Sequence, residues 1–478
     1  MVFSSLPFIC VFLPMVVGLY FALPKAANNL VLVVASYAFY GWGDPVALLL
    51  LLMPSVAVNF QFGRFIDRAK GAFRHNLIAT VIALNLLVLI VFKYSDFILA
   101  NVNFLLDKVG LGQVPLPNLT LPLGLSFFTF HIISYLVDVY RGNQHAQRSP
   151  LAFALYIVNF PQLIAGPIIR YSQIADQLVK RNATLDDIDA GIIRFSTGLA
   201  KKLFIANPIG VVVDQIFALP SSNLSVPAVW LGAVSYALQI YFDFSGYSDM
   251  AIGIGRIFGF RFPENFNYPY SAISIQDFWR RWHMTLSAWF RDYVYIPLGG
   301  NRFGAWKTAR NLWLVFFLCG AWHGASWTFI LWGMWHGLFL WFERLKGVNH
   351  VLLRCPRVFR TAYAALVVLV GWVLFRADSL QQALAYLGRM FGIVGAGSQL
   401  LPLTQFTSTP MLILIVAASI LSFPLWPAIK AVWPHIMQTR GRTALGDVLS
   451  AGYVGTVMVL SLATMAANQQ NPFLYFRF

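Results

Sequence analysis

Three Trp-His pairs stand in the second half of the chain: Trp282-His283, Trp322-His323 and Trp335-His336. Random placement of 15 Trp and 8 His in 478 positions gives about 0.25 such pairs, so the clustering is informative although a dipeptide is a weak motif. A neutral imidazole titrates near physiological pH and can take the proton from a hydroxyl that is to act as a nucleophile. His323 is the strongest candidate for that work. It falls in the apolar stretch 312–329 and is flanked by Gly320, Ala321, Gly324 and Ala325, small residues that let a ligand or another helix come close. An ionisable side chain inside a membrane span is costly, and function is the usual reason to keep one. The structural alternative is a histidine hydrogen-bonded between helices, and His336, near the end of the next apolar stretch, reads that way.

Acidic residues in apolar surroundings form a second group. Asp138 ends an apolar run, and Asp243 and Asp249 lie in Tyr241-Phe242-Asp243-Phe244-Ser245-Gly246-Tyr247-Ser248-Asp249-Met250. A spacing of six does not put two residues on one helix face. At least one of them is expected to pair with an arginine as structure, and the remaining role is to orient His283 or His323. Asp292 sits in the aromatic run Trp289-Phe290-Arg291-Asp292-Tyr293 as a further supporting polar residue. Cys319 lies one helical turn before His323, where a thiolate could relay a thioester, but a lone cysteine in a span ordinarily fills space. No His pair has metal-ligand spacing and no glycine-rich phosphate loop follows a strand, so neither a metal nor a bound cofactor is expected.

The elements that must hold these residues are membrane helices. The chain is 58% hydrophobic and 11% charged, against roughly 25% charged in ordinary soluble domains. Its apolar residues come in runs long enough to cross a bilayer as helices. The formal charge of +16 matches basic residues gathered in cytoplasmic loops better than a nucleic-acid partner. Three cysteines, Cys10, Cys319 and Cys355, give neither a disulfide frame nor a zinc site. The stretch 7–23 lacks a basic lead-in and reads as a retained first span.

Candidate spans include 30–42, 46–62, 77–92, 121–137, 151–169, 190–217, 226–242, 244–260, 312–329, 328–342, 363–375, 411–432 and 445–465. The expected fold is all-α, a polytopic membrane protein with about 9–12 transmembrane helices plus re-entrant or interfacial helices, in a single domain over 1–478 with its catalytic core at about 121–345. The segment 272–311 loses the long apolar runs but stays aromatic and basic, as suits a helix at the membrane interface or one dipping into a cavity. Arg64, Arg68, Lys70 and Arg74 crowd one short loop, whereas the Gly43-Asp44-Pro45 turn has no base. This places the N-terminus outside and the basic loop in the cytoplasm. Keeping Arg170, Lys180 and Arg181 inside as well requires a re-entrant hairpin around Phe160-Pro161-Gln162-Leu163-Ile164-Ala165-Gly166-Pro167.

Several long stretches resemble the membrane-bound O-acyltransferase family, and in particular its alginate O-acetyltransferase-like bacterial branch. They are Phe160 to Pro167, Gln239 to Met250, Phe278-Trp279-Arg280-Arg281-Trp282-His283-Met284-Thr285-Leu286-Ser287, Arg291 to Gly300, and Gly320-Ala321-Trp322-His323-Gly324, all in family order. The resemblance implies a central funnel of helices in a bacterial inner membrane. It puts the family's catalytic histidine at His323, and at His283 a second polar position that is asparagine in lipid-acylating relatives. The implied reaction moves an acetyl group from a cytoplasmic thioester donor, acetyl-CoA or another acyl thioester, to hydroxyls of an exported polysaccharide, through an extracytoplasmic acetyltransferase partner. His323 would be the general base, with His283 among the candidates to hold the oxyanion. Arg280, Arg281 and Arg302 would meet the donor's phosphates, unless they serve only the positive-inside bias. Cellulose, peptidoglycan and teichoic acid stay open as acceptors beside alginate. The competing classes are an export scaffold and a transporter, and the latter calls for internal repeats that the sequence does not display.

The orientation has a direct check. A reporter enzyme active only outside the cytoplasm is expected to be active when fused near Gly43 and silent near Lys70; the reverse pattern overturns the assignment.

Overall fold

The computed structural model describes residues 1–163, 166–393, 395, 397, 400–425 and 444–467. Among them the secondary structure is helical, with no strand and a single isolated bridge between Leu224 and Leu401. The chain divides into two compact units, Met1–Ile192 with Ala251–Pro263, and Ile193–Met250 with Glu264–Phe478.

The first unit contains α1 (Leu13–Ala22), α2 (Asn28–Gly41), α3 (Met53–Arg68), α4 (Gly71–Lys108), α5 (Leu125–Arg141), α6 (Pro150–Val158) and α7 (Tyr171–Val179). Helix α6 starts where Ser149 accepts the Ala152 amide at 3.2 Å with Pro150 in the first turn, a pairing that satisfies one orphan donor and pre-sets the backbone. It is apolar on all sides and Ala152 to Val158 are all buried, as a helix with no polar face must be. Gly63 of α3 lies against the Tyr135 ring of α5, a contact that leaves no room for a Cβ. The expected span 151–169 is thus broken: α6 stops at Asn159 and a single turn, Phe160–Leu163, follows. Ile164 and Ala165 of the expected hairpin lie outside the described residues, as do residues 426–432 of the expected span 411–432.

Helix α4 shows what surrounds the protein. Its 38 residues extend about 57 Å, well beyond a hydrocarbon core of roughly 30 Å and far past the expected 77–92. Ile78, Val81 and Leu89 are buried, while Leu84, Leu87, Ile90 and Leu105 point outward. An apolar exterior of this extent belongs in lipid. Four helices among the described residues are long and apolar enough to cross a membrane on their own: Pro45–Arg68, Gly71–Lys108, Arg357–Arg376 and Gly446–Ala467. The other expected spans are shorter or carry charge.

The second unit is entered through α8 (Leu185–Ala200), which continues without a break in helical backbone through a π-helical stretch, Lys201–Ala206, into α9 (Asn207–Phe217). Beside it runs α10 (Val226–Ile257), 32 residues in one piece. The sequence reading had put two spans here, 226–242 and 244–260, parted at Asp243. The helix continues because the charge is answered: Lys202 Nζ reaches Asp243 Oδ1 at 2.6 Å with both side chains almost wholly buried. Asp249 is held by Lys201 at 2.7 Å and by Arg194 at 2.6 Å, so the expected pairing with arginine is present and a lysine joins it. Gly198 and Gly246 make these contacts possible, because each backbone occupies the space a Cβ of the other would need.

Then come α11 (Ile275–Trp279), α12 (Met284–Phe290), α13 (Ala305–His323), α14 (Trp327–Phe342), α15 (Arg357–Arg376), α16 (Leu380–Met390), α17 (Thr409–Leu421) and α18 (Ala444–Ala467). The segment 272–311 does not lie on the surface as an amphipathic helix. Ile275, Phe278, Trp279, Leu286 and Trp289 are buried in two short helices and Trp282 and His283 in the link between them, ahead of a π-helical turn, Arg291–Tyr295.

Breaking a buried ion pair leaves one charge without compensation, a loss of about 3–5 kcal/mol. Lys202→Met and Asp243→Leu are each expected to lower the amount of folded protein in the membrane, and the double variant to recover much of it. Thermal unfolding in detergent checks this, and additive losses would show that the two residues act separately.

Candidate active site

Helix α13 places the first histidine. The expected span 312–329 ends early, because the chain turns extended at Gly324 (φ −169°, ψ 156°) and α14 restarts under a Ser326 cap. His323 is therefore the last residue of its helix rather than a mid-span residue. The two helices touch through glycines: a Cβ on Gly320 would strike the Phe329 carbonyl, and one on Gly333 the Phe316 carbonyl. The imidazole is 5% exposed and lies edge-on to Trp332 at 4.9 Å and to Phe375 of α15 at 5.2 Å.

His283 is set by a different device. It is fully buried and its backbone is left-handed (φ 42°, ψ 53°), a conformation that non-glycine residues adopt at a cost. Asn265 supports the turn: its carbonyl accepts the Met284 amide at 2.9 Å, and its side-chain Oδ1 accepts from the Thr285 amide at 3.3 Å and from Thr285 Oγ1 at 2.9 Å. The same Oδ1 lies 3.0 Å from His283 Nδ1. Asn265 Nδ2 in turn donates to Ser248 of α10 at 3.0 Å. The neighbouring Glu264 is anchored by Arg194 through two bonds of 3.1 and 2.6 Å. An amide, not an aspartate, thus orients His283, and Asp243 and Asp249 are engaged with bases instead.

Trp322 stands between the two imidazoles, its ring 6.3 Å from His283 and 4.8 Å from His323, centroid to centroid. The third pair behaves as packing: His336 is fully buried, parallel to Phe278 at 6.0 Å and flanked by Trp279 and Trp332.

The same unit holds a cavity of about 470 Å³ whose lining includes neither His283 nor His323. Arg280, Arg291 and Arg344 line it together with Ser287, Tyr295 and Cys319, over an apolar wall of Leu312, Val315 and Phe316. Trp279 Nε1, Ser287 Oγ and Tyr295 Oη are buried there without hydrogen-bond partners in the protein. The lining includes Met284, next to His283, and Cys319, one turn from His323. Of the three arginines singled out in the sequence, Arg280 belongs to the cavity. Arg281 instead pairs with Asp277 at 2.9 Å, and Arg302 is exposed on a turn away from the lining. Asp292 pairs with Arg291 at 2.7 Å. Among the described residues no cluster of metal-ligating side chains occurs.

Asn265, Ser248 and Arg344 were missed in the sequence. Nothing in Pro263-Glu264-Asn265-Phe266-Asn267 marks one asparagine over the other, since both sit in a turn-rich segment.

Similarity to known proteins gives the enzyme class. The family model "MBOAT, membrane-bound O-acyltransferase family" matches residues 49–377, a span that holds both histidines and the cavity. The chain belongs to that family and is a membrane O-acyltransferase. It is 41% identical over 492 residues to the probable alginate O-acetylase AlgI of Pseudomonas putida, covering 100% of both chains. It is 35% identical over 529 residues to the peptidoglycan O-acetyltransferase of Helicobacter pylori, covering 100% of this chain and 98% of that one. A shorter match, 33% over 234 residues, joins 45% of this chain to 57% of the teichoic acid D-alanyltransferase of Bacillus subtilis.

Proposed function

We propose that this enzyme moves an acetyl group from a cytoplasmic acyl thioester, acetyl-CoA or a related donor, towards hydroxyls of an exported alginate-like polysaccharide at a bacterial inner membrane, with its N-terminus outside. The reading rests above all on an end-to-end alignment with alginate O-acetylases, and two buried imidazoles near Trp322 and an arginine-lined cavity in the same unit support it. The end-to-end match to a peptidoglycan O-acetyltransferase favours peptidoglycan as the second acceptor to test.

In this reading His323 is the general base. It takes the hydroxyl proton as the oxygen attacks the thioester carbonyl, the C–O bond forms, and collapse of the tetrahedral adduct breaks the C–S bond; the proton then passes to the departing thiolate. Arg280 and Arg344 at the cavity meet the anionic part of the donor, and the apolar wall excludes water that would hydrolyse the thioester. The hydroxyl acetylated in this step belongs to a carrier that the extracytoplasmic acetyltransferase partner uses as its own donor, and the partner moves the acetyl group from that ester to the polysaccharide hydroxyl across the membrane, freeing the carrier hydroxyl.

His323→Ala is expected to lower transfer by roughly 10²–10⁴-fold while the protein still inserts, because alanine is fully compatible with the helix. Cys319→Ala should be mild, since direct transfer needs no thiol. Acetate content of the exported polymer, measured beside protein abundance, decides both; near-normal acetylation by His323→Ala removes that residue from the chemistry. A second comparison tests the donor side. Arg280→Gln is expected to raise the apparent KM for acetyl-CoA with little change in kcat, whereas Arg302→Gln leaves both as they were.

A further inference from the structure

We infer that Asn265 is the positioning residue that fixes His283 in its Nδ1–H tautomer, so that His283 presents a free Nε2 lone pair and accepts from a substrate hydroxyl other than the one His323 deprotonates, rather than donating to an oxyanion.

The backbone N–H of Thr285 can only donate, so the Asn265 atom it meets at 3.3 Å must be the oxygen. Thr285 Oγ1 donates to the same atom at 2.9 Å, and the opposite end of the amide gives its N–H to Ser248 Oγ at 3.0 Å. Reversing the amide would set its NH2 group against a backbone donor. Asn265 Oδ1 is thereby fixed as an acceptor, and the His283 nitrogen 3.0 Å away must supply the proton. A neutral imidazole that carries its proton on Nδ1 has none on Nε2. The surroundings favour the neutral ring: Phe244 lies edge-on at 4.7 Å, with Phe266 and Trp322 beyond, and Nε2 is buried without a protein partner. A buried acceptor left unmatched is costly, and a bound hydroxyl is a donor that would satisfy it.

The left-handed backbone of His283 belongs to the same device. The strained turn lets Asn265 cap Met284 and Thr285 while its Oδ1 reaches round to the ring, so one side chain sets the backbone, the ring orientation and the tautomer together. That the donor is a substrate hydroxyl rests on the acyl-transfer reading; the tautomer itself does not.

The test has two arms. In full-length protein carrying ¹⁵N-histidine in lipid bilayers, solid-state NMR should show His283, assigned by the signal lost in His283→Gln, protonated at Nδ1 and bare at Nε2. A protonated Nε2 overturns the inference whatever the enzyme's activity. In membranes supplied with labelled acetyl-CoA, Asn265→Leu should lower kcat by at least about 10-fold with the KM for acetyl-CoA unchanged, because a wrongly set imidazole is present but misprotonated. Asn265→Asp keeps the acceptor, and Ser248 can turn its hydroxyl to donate to the carboxylate, so this variant should recover most of the rate. Equal failure of both variants at normal abundance overturns the positioning role, as does a normal rate for Asn265→Leu. Absence of transfer by the unaltered protein would reject the proposed function and leave the NMR arm to decide the tautomer.

Discussion

Charge without water is the constraint on which the second unit is built. Asp243 and Asp249 lie within an unbroken 32-residue helix that packs on its neighbours through glycine, where a buried carboxylate is costly unless it is paired. Lys202, Lys201 and Arg194 answer them. Because Arg194 also holds Glu264, the same charges tether the segment that carries Asn265, and Asn265 sets His283. The buried His283 thus hangs from a set of ion pairs on the helices behind it.

Glycine provides the second organising contact. Where Gly198 faces Gly246 and Gly320 faces Gly333, helices approach to backbone contact, a distance at which dispersion and short carbonyl contacts take over from side-chain packing. In lipid, where no hydrophobic force draws helices together, such closeness is what makes helix pairs specific. The α13–α14 pair shows the use of it: the turn between them is short, so His323 ends one helix and Trp332 covers its ring from the other.

Much of this was legible in the sequence. The apolar runs announced helices in lipid, the Trp-His pairs marked the two imidazoles, and an aspartate–arginine pair was expected. The errors share a cause. Asp243 read as a break because a charge in an apolar run ends a helix unless something answers it, and its partner is 41 positions away in the chain. His323 read as mid-span because Gly324 looked like one more small residue, although its extended backbone is where the helix stops. Asn265 could not be found at all: its importance lies in four side-chain bonds to three residues 17 to 20 positions distant, and an asparagine in a turn is otherwise ordinary.

The π-helical stretch at Lys201–Ala206 carries a consequence of its own. Successive residues of a regular α-helix point about 100° apart, so two adjacent lysines would address different neighbours. The wider turn holds one residue more than its height requires, and here both lysines reach the same helix, at aspartates six residues apart. The extra residue acts as a spacer in rotation rather than in length. Remove one residue and the helix regains ideal geometry, yet everything beyond it turns by about a quarter of a circle and the lysines lose their aspartates. Regularity and function are opposed at this point of the chain, and the irregular form is the one that folds.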